Sequence, residues 1–362
     1  MSKRNYFLSF LFLILIFVWR LAAFPQPHFV SGQKVKITSS LHQEPKTSGQ
    51  TQNMTLGSLS VKTWRYPEFH YGDRLEIVGI IKNNALEFPE IKKLEKGGGV
   101  FSGIYAFRSQ IESLYRLVLP EPQASLISGI VLGSKQDVPT DFYKALQQTG
   151  TLHIIVASGS NVAIVAGTFL SFFLTIFKRK LALVFTFLGI WFYVFLAGAD
   201  VPVIRAGLMA TFAYLAQGLG RKSDGWRGLF LAAFILLLIN PLAFLDLGFQ
   251  LSFAATAGIL YFGPRFDTLL RRVPGKIRAD LAQTLGAQTA TFPILFFSFG
   301  QFNPFSPLAN ILVVTILPWI MKMGALVAIL GLILKPIGQF LALFLWPLLT
   351  YFIKVVELFA KL

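Results

Sequence analysis

The sequence predicts a polytopic α-helical membrane bundle with a small N-terminal all-β domain. Of its 362 residues, 54% are hydrophobic and only 14% are charged, whereas soluble domains carry about 25% charged residues. Apolar runs recur through the second half of the chain, and several reach the roughly 17–25 residues that cross a bilayer as a helix. A polar stretch with alternating apolar residues precedes them. Several such runs in series predict a bundle.

Composition also excludes several kinds of chemistry. The chain has no cysteine, so a thiolate nucleophile or a cysteine-based metal site cannot form. Its four histidines are far apart in sequence, and neither an H-E-x-x-H pair nor a G-x-x-x-x-G-K-[ST] loop occurs. We therefore expect no metal and no other cofactor. Any ATP-driven work must come from a partner.

Residues 1–24 form the first predicted element, a transmembrane anchor. Lys3 and Arg4 precede an apolar run that Pro25 ends. A cleaved signal peptide has the same outline. We favour an uncleaved anchor with a cytoplasmic N-terminus, because no clear small-x-small cleavage site follows the run.

Residues 30–96 form the predicted β-domain. Apolar and polar residues alternate in segments 34–38, 58–62 and 74–81, and this period of two predicts short strands. Residues 47–53 are predicted to be a polar loop between two of the strands. The length fits a small barrel of the OB-like type, and a generic β-domain without a ligand fits equally well.

Residues 97–150 are predicted to be a linker with amphipathic surface helices. Three consecutive glycines at 97–99 form a flexible joint. Residues 101–119 place apolar side chains on one face and charged side chains on the other, which is typical of a helix that lies along a membrane surface. A second, short polar helix is expected at 141–148.

Residues 151–362 form the predicted polytopic domain, which has about eight spans of membrane-crossing length. The predicted spans are 152–177, 181–199, 203–219, 228–245, 248–263, 281–299, 308–334 and 337–353. Loops at alternate ends are basic, as at Lys178-Arg179-Lys180, whereas the opposite short loops lack Lys and Arg. The positive-inside rule therefore places the β-domain outside the cytoplasm. The same rule explains most of the excess positive charge of the polytopic domain. That excess, part of the net charge of +16, is therefore weak evidence for a polyanionic ligand.

Polar side chains inside the apolar runs are the candidate functional residues. An ionisable group at mid-helix costs about 2.5–3.5 kcal/mol on insertion scales, so it normally faces the bundle interior or a wet path. The densest group is His153, Ser158, Gly159 and Asn161. Ordinary hydrogen bonding between helices is the alternative explanation for this group.

A second group surrounds a predicted helix break. Pro202 separates two spans, and Asp200 and Arg205 are close enough in sequence to pair. A simple interfacial salt bridge explains that pair equally well. Further polar residues inside spans are Gln250, Ser252, Asn310 and Lys322. Lys322 lies near Pro318, so a lysine that snorkels beside a helix break is the competing account for it.

Short motifs in this half of the chain resemble the competence domain of ComEC-type DNA-uptake proteins. The resemblance covers residues 101–335, and its most specific part is the Gly-Phe-Gln-Leu-Ser-Phe-Ala run at 248–254. The other matching positions are Thr149-Gly150, His153, Ser158-Gly159, Gly198, Pro202, Arg205-Ala206, Gly220-Arg221, Asn240-Pro241, Phe292-Pro293 and Asn310. Family members often carry His where this chain has Asn161. Many also continue into a metallo-β-lactamase-like domain whose histidine motif is not seen here, so we expect no nuclease activity in this chain.

The resemblance implies an OB-like extracytoplasmic domain and transport of one DNA strand across the bacterial inner membrane. On this basis we expect a conduit and not an enzyme. The expected partners are single-stranded DNA, the lipid bilayer, a cytoplasmic helicase-like motor, a DNA receptor and a separate nuclease. The expected DNA path is lined by His153, Ser158, Gly159, Asn161, Asp200, Pro202, Arg205, Gln250, Ser252, Asn310 and Lys322. The expected DNA contacts of the OB-like domain are Lys62, Trp64, Arg65 and Tyr66, which combine aromatic and basic side chains.

Two other functions fit the same polar residues. In an intramembrane hydrolase, Ser158 would be a nucleophile, with His153 and Asp200 as its base and orienting group. That function needs a base within hydrogen-bond reach of Ser158. In a small-solute permease the polar groups would line a pore too narrow for a nucleotide. Permeases often show internal duplication, which we do not see in this sequence.

Overall fold

The computed structural model describes residues 20, 31–41, 45–48, 50–56, 59–69, 73–82, 85–95, 100–134, 138–155, 158–221, 223–299 and 306–361. Except for Arg20, the predicted anchor at residues 1–24 lies outside the described residues. The glycine joint at 97–99 also lies outside them. Arg20 donates a hydrogen bond from Nε to the carbonyl oxygen of Leu238, at 3.0 Å.

The N-terminal part of the chain forms a small mixed sheet. Its strands are β1 (Lys34–Ser40), β2 (Lys46–Ser48), β3 (Thr51–Leu56), β4 (Leu59–Trp64), β5 (Arg74–Lys82), β6 (Ala85–Glu87) and β7 (Glu90–Glu95). The sheet order is β1-β5-β6-β4-β3-β2, and β7 also pairs with β5. The β4–β6 pair is parallel and the other pairs are antiparallel.

Every second side chain along the strands points into the core of this domain. Along β4 every second residue is buried, and β5 buries Leu75, Ile77 and Ile81 against the same core. These are two of the three segments in which alternation predicted strands. Among the described strands, no pairing joins β1 to β2 or β3, so the pairings do not close a circuit. The OB-like barrel therefore stays a prediction.

The predicted polar loop at 47–53 is wrong. This segment forms a hairpin of β2 and β3, in which Lys46 pairs with Asn53 and Ser48 pairs with Thr51. β3 then pairs along its whole length with β4. Polar residues form this strand because their backbone groups are satisfied in the ladder, while Gln52 and Met54 point into the core.

The rest of the described chain is helical. The helices are α1 (Val100–Val118), α2 (Gln123–Leu132), α3 (Thr140–Gln148), α4 (Leu152–Ile155), α5 (Gly159–Ile176), α6 (Arg179–Leu196), α7 (Val201–Gly218), α8 (Gly225–Ile239), α9 (Leu247–Leu269), α10 (Gly275–Phe299), α11 (Ser306–Val314), α12 (Leu317–Ile333) and α13 (Lys335–Ala360). A 3-10 helix, Pro241–Leu245, joins α8 to α9.

The segment predicted as a linker with surface helices is built into the bundle core. All ten residues of α2 are buried, and side chains of α1, α2, α12 and α13 share one hydrophobic core. The Tyr115 hydroxyl on α1 donates to the carbonyl oxygen of Gly324 on α12, at 2.9 Å. The predicted charged face of α1 is covered in part, because Arg108 is only 6% exposed, whereas Arg116 is exposed.

Three of the predicted spans are interrupted. The first splits into α4 and α5, since Ser158 is extended (φ −117°, ψ 171°) and begins a new helix. The fourth ends at Ile239, where Asn240 is extended before Pro241, as residues before proline usually are. The seventh divides into α11 and α12, which are bent by 45°.

Length and apolar composition identify the helices that can cross a membrane. Within the described residues, α5, α6 and α13 qualify, and the bent pair of α11 and α12 qualifies together as one span. The helices α2 and α8 are apolar but shorter. The helices α7, α9 and α10 are long enough but are less apolar and are not among the helices that qualify. About eight spans therefore remain a prediction.

Candidate functional site

Arg205 is the central residue of a polar site among the apolar helices. It lies on α7, close after Pro202 in the first turn, and is 7% exposed. Its Nη1 donates to the hydroxyl of Thr256 on α9 and lies 3.7 Å from the sulfur of Met209. Its guanidinium carbon is 5.7 Å from the ring centroid of Phe253.

The charge of Arg205 has no counter-ion in the part of the chain that the structure describes. The expected pair with Asp200 does not form: the ion pairs of the described residues do not include Arg205. Its Nε is buried and has no hydrogen-bond partner. Burying a cation without compensation costs several kcal/mol even after relaxation. This side chain is therefore a candidate for binding an anion.

The N-terminus of α5 lies directly beside Arg205. A Cβ atom added at Gly159 would be 3.0 Å from Nη2 of Arg205. The hydroxyl oxygens of Ser158 and Ser160 are 2.7 Å apart, and Ser158 makes no side-chain cap to the helix. We call Ser158, Gly159, Ser160, Arg205 and Thr256 the Arg205 cluster.

Asn161 fastens this end of α5 to the rest of the bundle. It is fully buried, and its Nδ2 donates to the carbonyl oxygen of Ile130 at the end of α2, at 2.9 Å. Its Oδ1 accepts a hydrogen bond from Ser158, at 3.2 Å. Asn161 thus connects Ser158 of the Arg205 cluster to the end of α2.

Gln250 and Ser252 belong to the start of α9. The side-chain Nε2 of Gln250 donates to the carbonyl oxygen of Phe244, at 2.9 Å, and Asp246 caps the helix by accepting from the amide of Phe249, at 2.8 Å. The carbonyl oxygen of Ser252 accepts from Thr256, at 3.1 Å. These contacts fix the turn of helix that presents Thr256 to Arg205.

His153 is exposed and lies outside the Arg205 cluster. Its Nδ1 donates to the carbonyl oxygen of Gly150, at 2.9 Å, whereas Ser158 bonds to Ser160 and Asn161. The predicted hydrolytic group of His153, Ser158 and Asp200 is therefore not connected by hydrogen bonds among the described residues.

Asn310 belongs to a second polar group. It is buried on α11, and its Nδ2 donates to the hydroxyl of Ser306, at 3.3 Å. Gln288 on α10 donates to the same hydroxyl, at 3.2 Å. The Oδ1 atom of Asn310 is buried without a partner. Ser306 also contacts the turn before α4, since a Cβ added at Gly150 would be 2.5 Å from its hydroxyl oxygen.

Lys322 is exposed on α12 and joins neither group. Its Nζ lies 5.9 Å from the ring centroid of Trp319, which is itself exposed. A lysine beside an exposed tryptophan is typical of a membrane-interface position. This geometry agrees with the snorkelling account, and a place in the DNA path remains a prediction.

The β-domain carries an exposed aromatic surface. Trp64 at the end of β4 is 57% exposed, and Tyr66 in the following loop is 73% exposed. Lys62 on β4 is also exposed. Arg65 lies over the Tyr66 ring, 5.7 Å from its centroid. Phe88, which the sequence analysis did not single out, is 43% exposed and packs against Trp64, with the ring centroids 4.6 Å apart and the ring planes tilted by 39°.

Gln52 holds the loop that carries these aromatics. Its buried Nε2 donates to the carbonyl oxygens of Trp64, at 2.7 Å, and Pro67, at 2.7 Å. Its side-chain oxygen Oε1 accepts a hydrogen bond from the backbone amide of Phe69, at 3.4 Å. The aromatic surface is therefore a fixed part of the domain.

Among the residues that the structure describes, no group of three or more His, Asp or Glu side chains could hold a metal ion.

Comparison with known proteins identifies relatives for most of the helical part. The sequence profile described as "Competence protein" matches residues 130–362, which is more than half of the chain. ComE operon protein 3 of Bacillus subtilis is 30% identical over 242 residues, which cover 64% of this chain. Competence protein ComA of Neisseria gonorrhoeae is 28% identical over 286 residues, which cover 73% of this chain.

A third relative is the uncharacterized protein YcaI of Escherichia coli, which is 26% identical over 222 residues that cover 58% of this chain. The aligned parts span only 30%, 29% and 39% of the lengths of ComE operon protein 3, YcaI and ComA. No solved structure matches this chain.

Proposed function

This chain belongs to the competence protein family, and from that premise we propose that it conducts single-stranded DNA across the bacterial inner membrane during DNA uptake. The family match and the relative named as a competence protein support a role in competence. Because the chain spans about a third of their lengths, the strand, the direction and the partners are parts of the proposal.

One observation carries this proposal. Polar residues that are far apart in sequence meet at one place among apolar helices: Ser158 and Gly159 on α5, Arg205 on α7 and Thr256 on α9. An apolar bundle has no structural need for a buried cation without a counter-ion. A polyanion that passes beside Arg205 would supply the missing negative charge.

The predicted topology indicates on which side of the membrane the Arg205 cluster lies. The Arg205 cluster lies near the beginning of α5 and α7 and in the first half of α9, and the basic loops follow the opposite ends of these helices. With basic loops in the cytoplasm, the cluster faces the outside and the β-domain. In the proposal, the β-domain receives the strand on Trp64, Tyr66 and their basic neighbours before it reaches Arg205.

The proposed conduit performs no covalent chemistry. A cytoplasmic helicase-like motor would pull the strand inward, a DNA receptor would deliver it, and a separate nuclease would remove the complementary strand. The lipid bilayer is the remaining partner. The chain itself would bind and orient the strand.

Uptake of labelled DNA by cells tests this function. We expect Arg205→Ala to abolish uptake, because the path then loses its buried positive charge. Gln250→Ala should reduce uptake, because the start of α9 loses its bond to Phe244. The measured quantities are internalised label and the amount of the protein in the membrane.

Thr168→Ala is the matched control on α5. Thr168 is exposed and bonds only to the backbone of its own helix, so uptake should be unchanged. Normal uptake by cells that contain normal amounts of the Arg205→Ala protein would overturn the proposed path.

A further inference from the structure

We propose that the N-terminus of α5 and the guanidinium of Arg205 form a binding site for a phosphate group of the passing strand. The inference deepens the proposed function and rests on it. It assigns the site to Gly159, Ser160 and Arg205, with the hydroxyl of Ser158 at its edge.

The first half of the site is the free end of a long helix. The helix α5 has 18 residues, and its first amide groups point out of the helix and attract anions. The amides of Asn161 and Val162 bond to the carbonyl oxygen of Ser158. No side chain caps this helix from Ser158. The amides of Gly159 and Ser160 are therefore the donors that remain for a ligand.

The second half is the buried cation. Arg205 is 7% exposed, and its Nε has no hydrogen-bond partner. Its Nη2 lies against Gly159, where an added Cβ would be 3.0 Å away. A guanidinium presents several N–H groups in one plane, which match two oxygens of one phosphate. Helix end and cation therefore converge on the same point.

Glycine and serine at the helix end keep this point open. Gly159 places no side chain between the helix end and Arg205, where an added Cβ would lie 3.0 Å from Nη2. Ser160 is exposed and Ser158 is partly exposed, so a ligand can reach the site from the surface. Their hydroxyls, 2.7 Å apart, add further donors.

A phosphodiester, a free phosphate and a lipid headgroup share the chemistry that this site recognises. Thermal unfolding of the purified full chain in nanodiscs of neutral lipid distinguishes them. The ligands are inorganic phosphate, a short oligothymidylate, the same oligomer with an uncharged methylphosphonate backbone, and an anionic phospholipid added to the disc. A ligand that binds only the folded protein raises the midpoint as its concentration rises.

We expect the oligothymidylate to raise the midpoint and the uncharged oligomer to leave it unchanged. Arg205→Met should abolish this rise. Without a ligand, Arg205→Met should unfold no earlier than the unsubstituted protein, because an uncompensated buried charge is removed and Thr256 keeps its bond to Ser252. A purely structural arginine would give the opposite result, a lower midpoint without a ligand.

Gly159→Ala tests the position of the anion without changing the charge. The added methyl group would occupy the space beside Nη2 and should weaken the rise caused by the oligothymidylate. Gly167→Ala is its matched control on the same helix, because a Cβ there meets nothing within 4 Å. This control should respond to the ligand like the unsubstituted protein.

The salt dependence of the affinity for oligothymidylate tests the contact between Arg205 and a phosphate independently. Loss of one phosphate contact to a single strand should lower the slope of log affinity against log salt by about 0.7. Arg205→Met should show this smaller slope. An unchanged slope, or an equal rise with the uncharged oligomer, would overturn the site.

The outcomes also separate this inference from the proposed function. If Arg205→Met blocks uptake in cells but binding is unaffected in nanodiscs, the phosphate site is wrong and the conduit stands. If only the anionic lipid or inorganic phosphate binds at Arg205, the assignment of the site to a phosphate of the strand is overturned. If Arg205→Met lowers the midpoint without a ligand and no anion raises it, the site is refuted.

Discussion

Buried polar side chains in this protein differ in how completely they are bonded. Gln52 and Asn161 use their amide groups on backbone carbonyls, so their burial is compensated. Arg205 keeps an unbonded Nε, and Asn310 keeps an unbonded Oδ1. Residues of the first kind hold the architecture, whereas those of the second kind are candidates for ligand contact.

Gln52→Leu should loosen the aromatic surface of the β-domain. The substitution leaves the carbonyl oxygens of Trp64 and Pro67 without their donor, which should destabilise the domain by about 1–3 kcal/mol. Hydrogen exchange of residues 64–69, followed by mass spectrometry, should become faster. Asn53→Leu changes the exposed neighbour on the same strand and should leave exchange unchanged. Equal exchange in both variants would contradict the role of Gln52.

Sequence periodicity predicted elements better than it predicted their interruptions. Alternation identified the strands at 34–38 and 74–81, which pair with each other, because successive side chains of a strand point alternately towards the core and towards solvent. The break before α5 was missed because Ser158 and Gly159 interrupt an apolar run without a proline. The contact of Arg205 with Thr256 joins residues 51 positions apart, and no local pattern encodes such a distance.

Arg108 on α1 should be essential for the packing of α6. Its Nε pairs with Glu112, at 3.2 Å, and its Nη1 donates to the carbonyl oxygen of Leu196, at 3.4 Å. Arg108→Met leaves the partly buried Glu112, whose side chain is 15% exposed, without its partner, which should cost about 1–3 kcal/mol. The midpoint of thermal unfolding should fall, and the double variant with Glu112→Leu should recover much of the loss. Gln110→Met, at an exposed position of α1, is the control.

Gly258 should be required for the contact of α9 with α10. A Cβ at this position would be 2.3 Å from the backbone oxygen of Gly286, so the two helices would have to move apart. Gly258→Ala should therefore lower stability by about 1–3 kcal/mol, as overpacking does. Gly263→Ala on the same helix meets nothing within 4 Å and should be tolerated. Equal unfolding midpoints would contradict this contact.

For the whole molecule, the family resemblance predicted the function, whereas composition and charge predicted only the architecture. Composition and loop charge predicted a helical bundle and its orientation, and the competence family match confirms the resemblance. The pairing of Trp64 with Phe88 could not be predicted, because β4 and the residues after β6 meet only in the folded sheet. The proposed route connects this surface with Arg205 through the bundle.

The aromatic surface should bind single-stranded DNA by stacking. Replacing both Trp64 and Phe88 by Ala should weaken the affinity of the full chain for oligothymidylate, with each lost stacking contact worth about 1–3 kcal/mol. Fluorescence anisotropy of a labelled oligomer measures this change. Exposed Ile80 on β5 provides a control, since Ile80→Ala removes apolar surface without a ring. An equal loss in the control would indicate general hydrophobic binding.

Thiol crosslinking can show whether incoming DNA passes beside Arg205, because the chain has no cysteine of its own. Cells carrying Ser158→Cys or Ser171→Cys would take up labelled DNA that bears a thiol-reactive group on its backbone. Ser171 is exposed on the same helix, away from the Arg205 cluster. We expect a covalent adduct between incoming DNA and residue 158, and none at residue 171. Crosslinking at 171 but not at 158, in cells that import DNA normally, would contradict a DNA path beside Arg205.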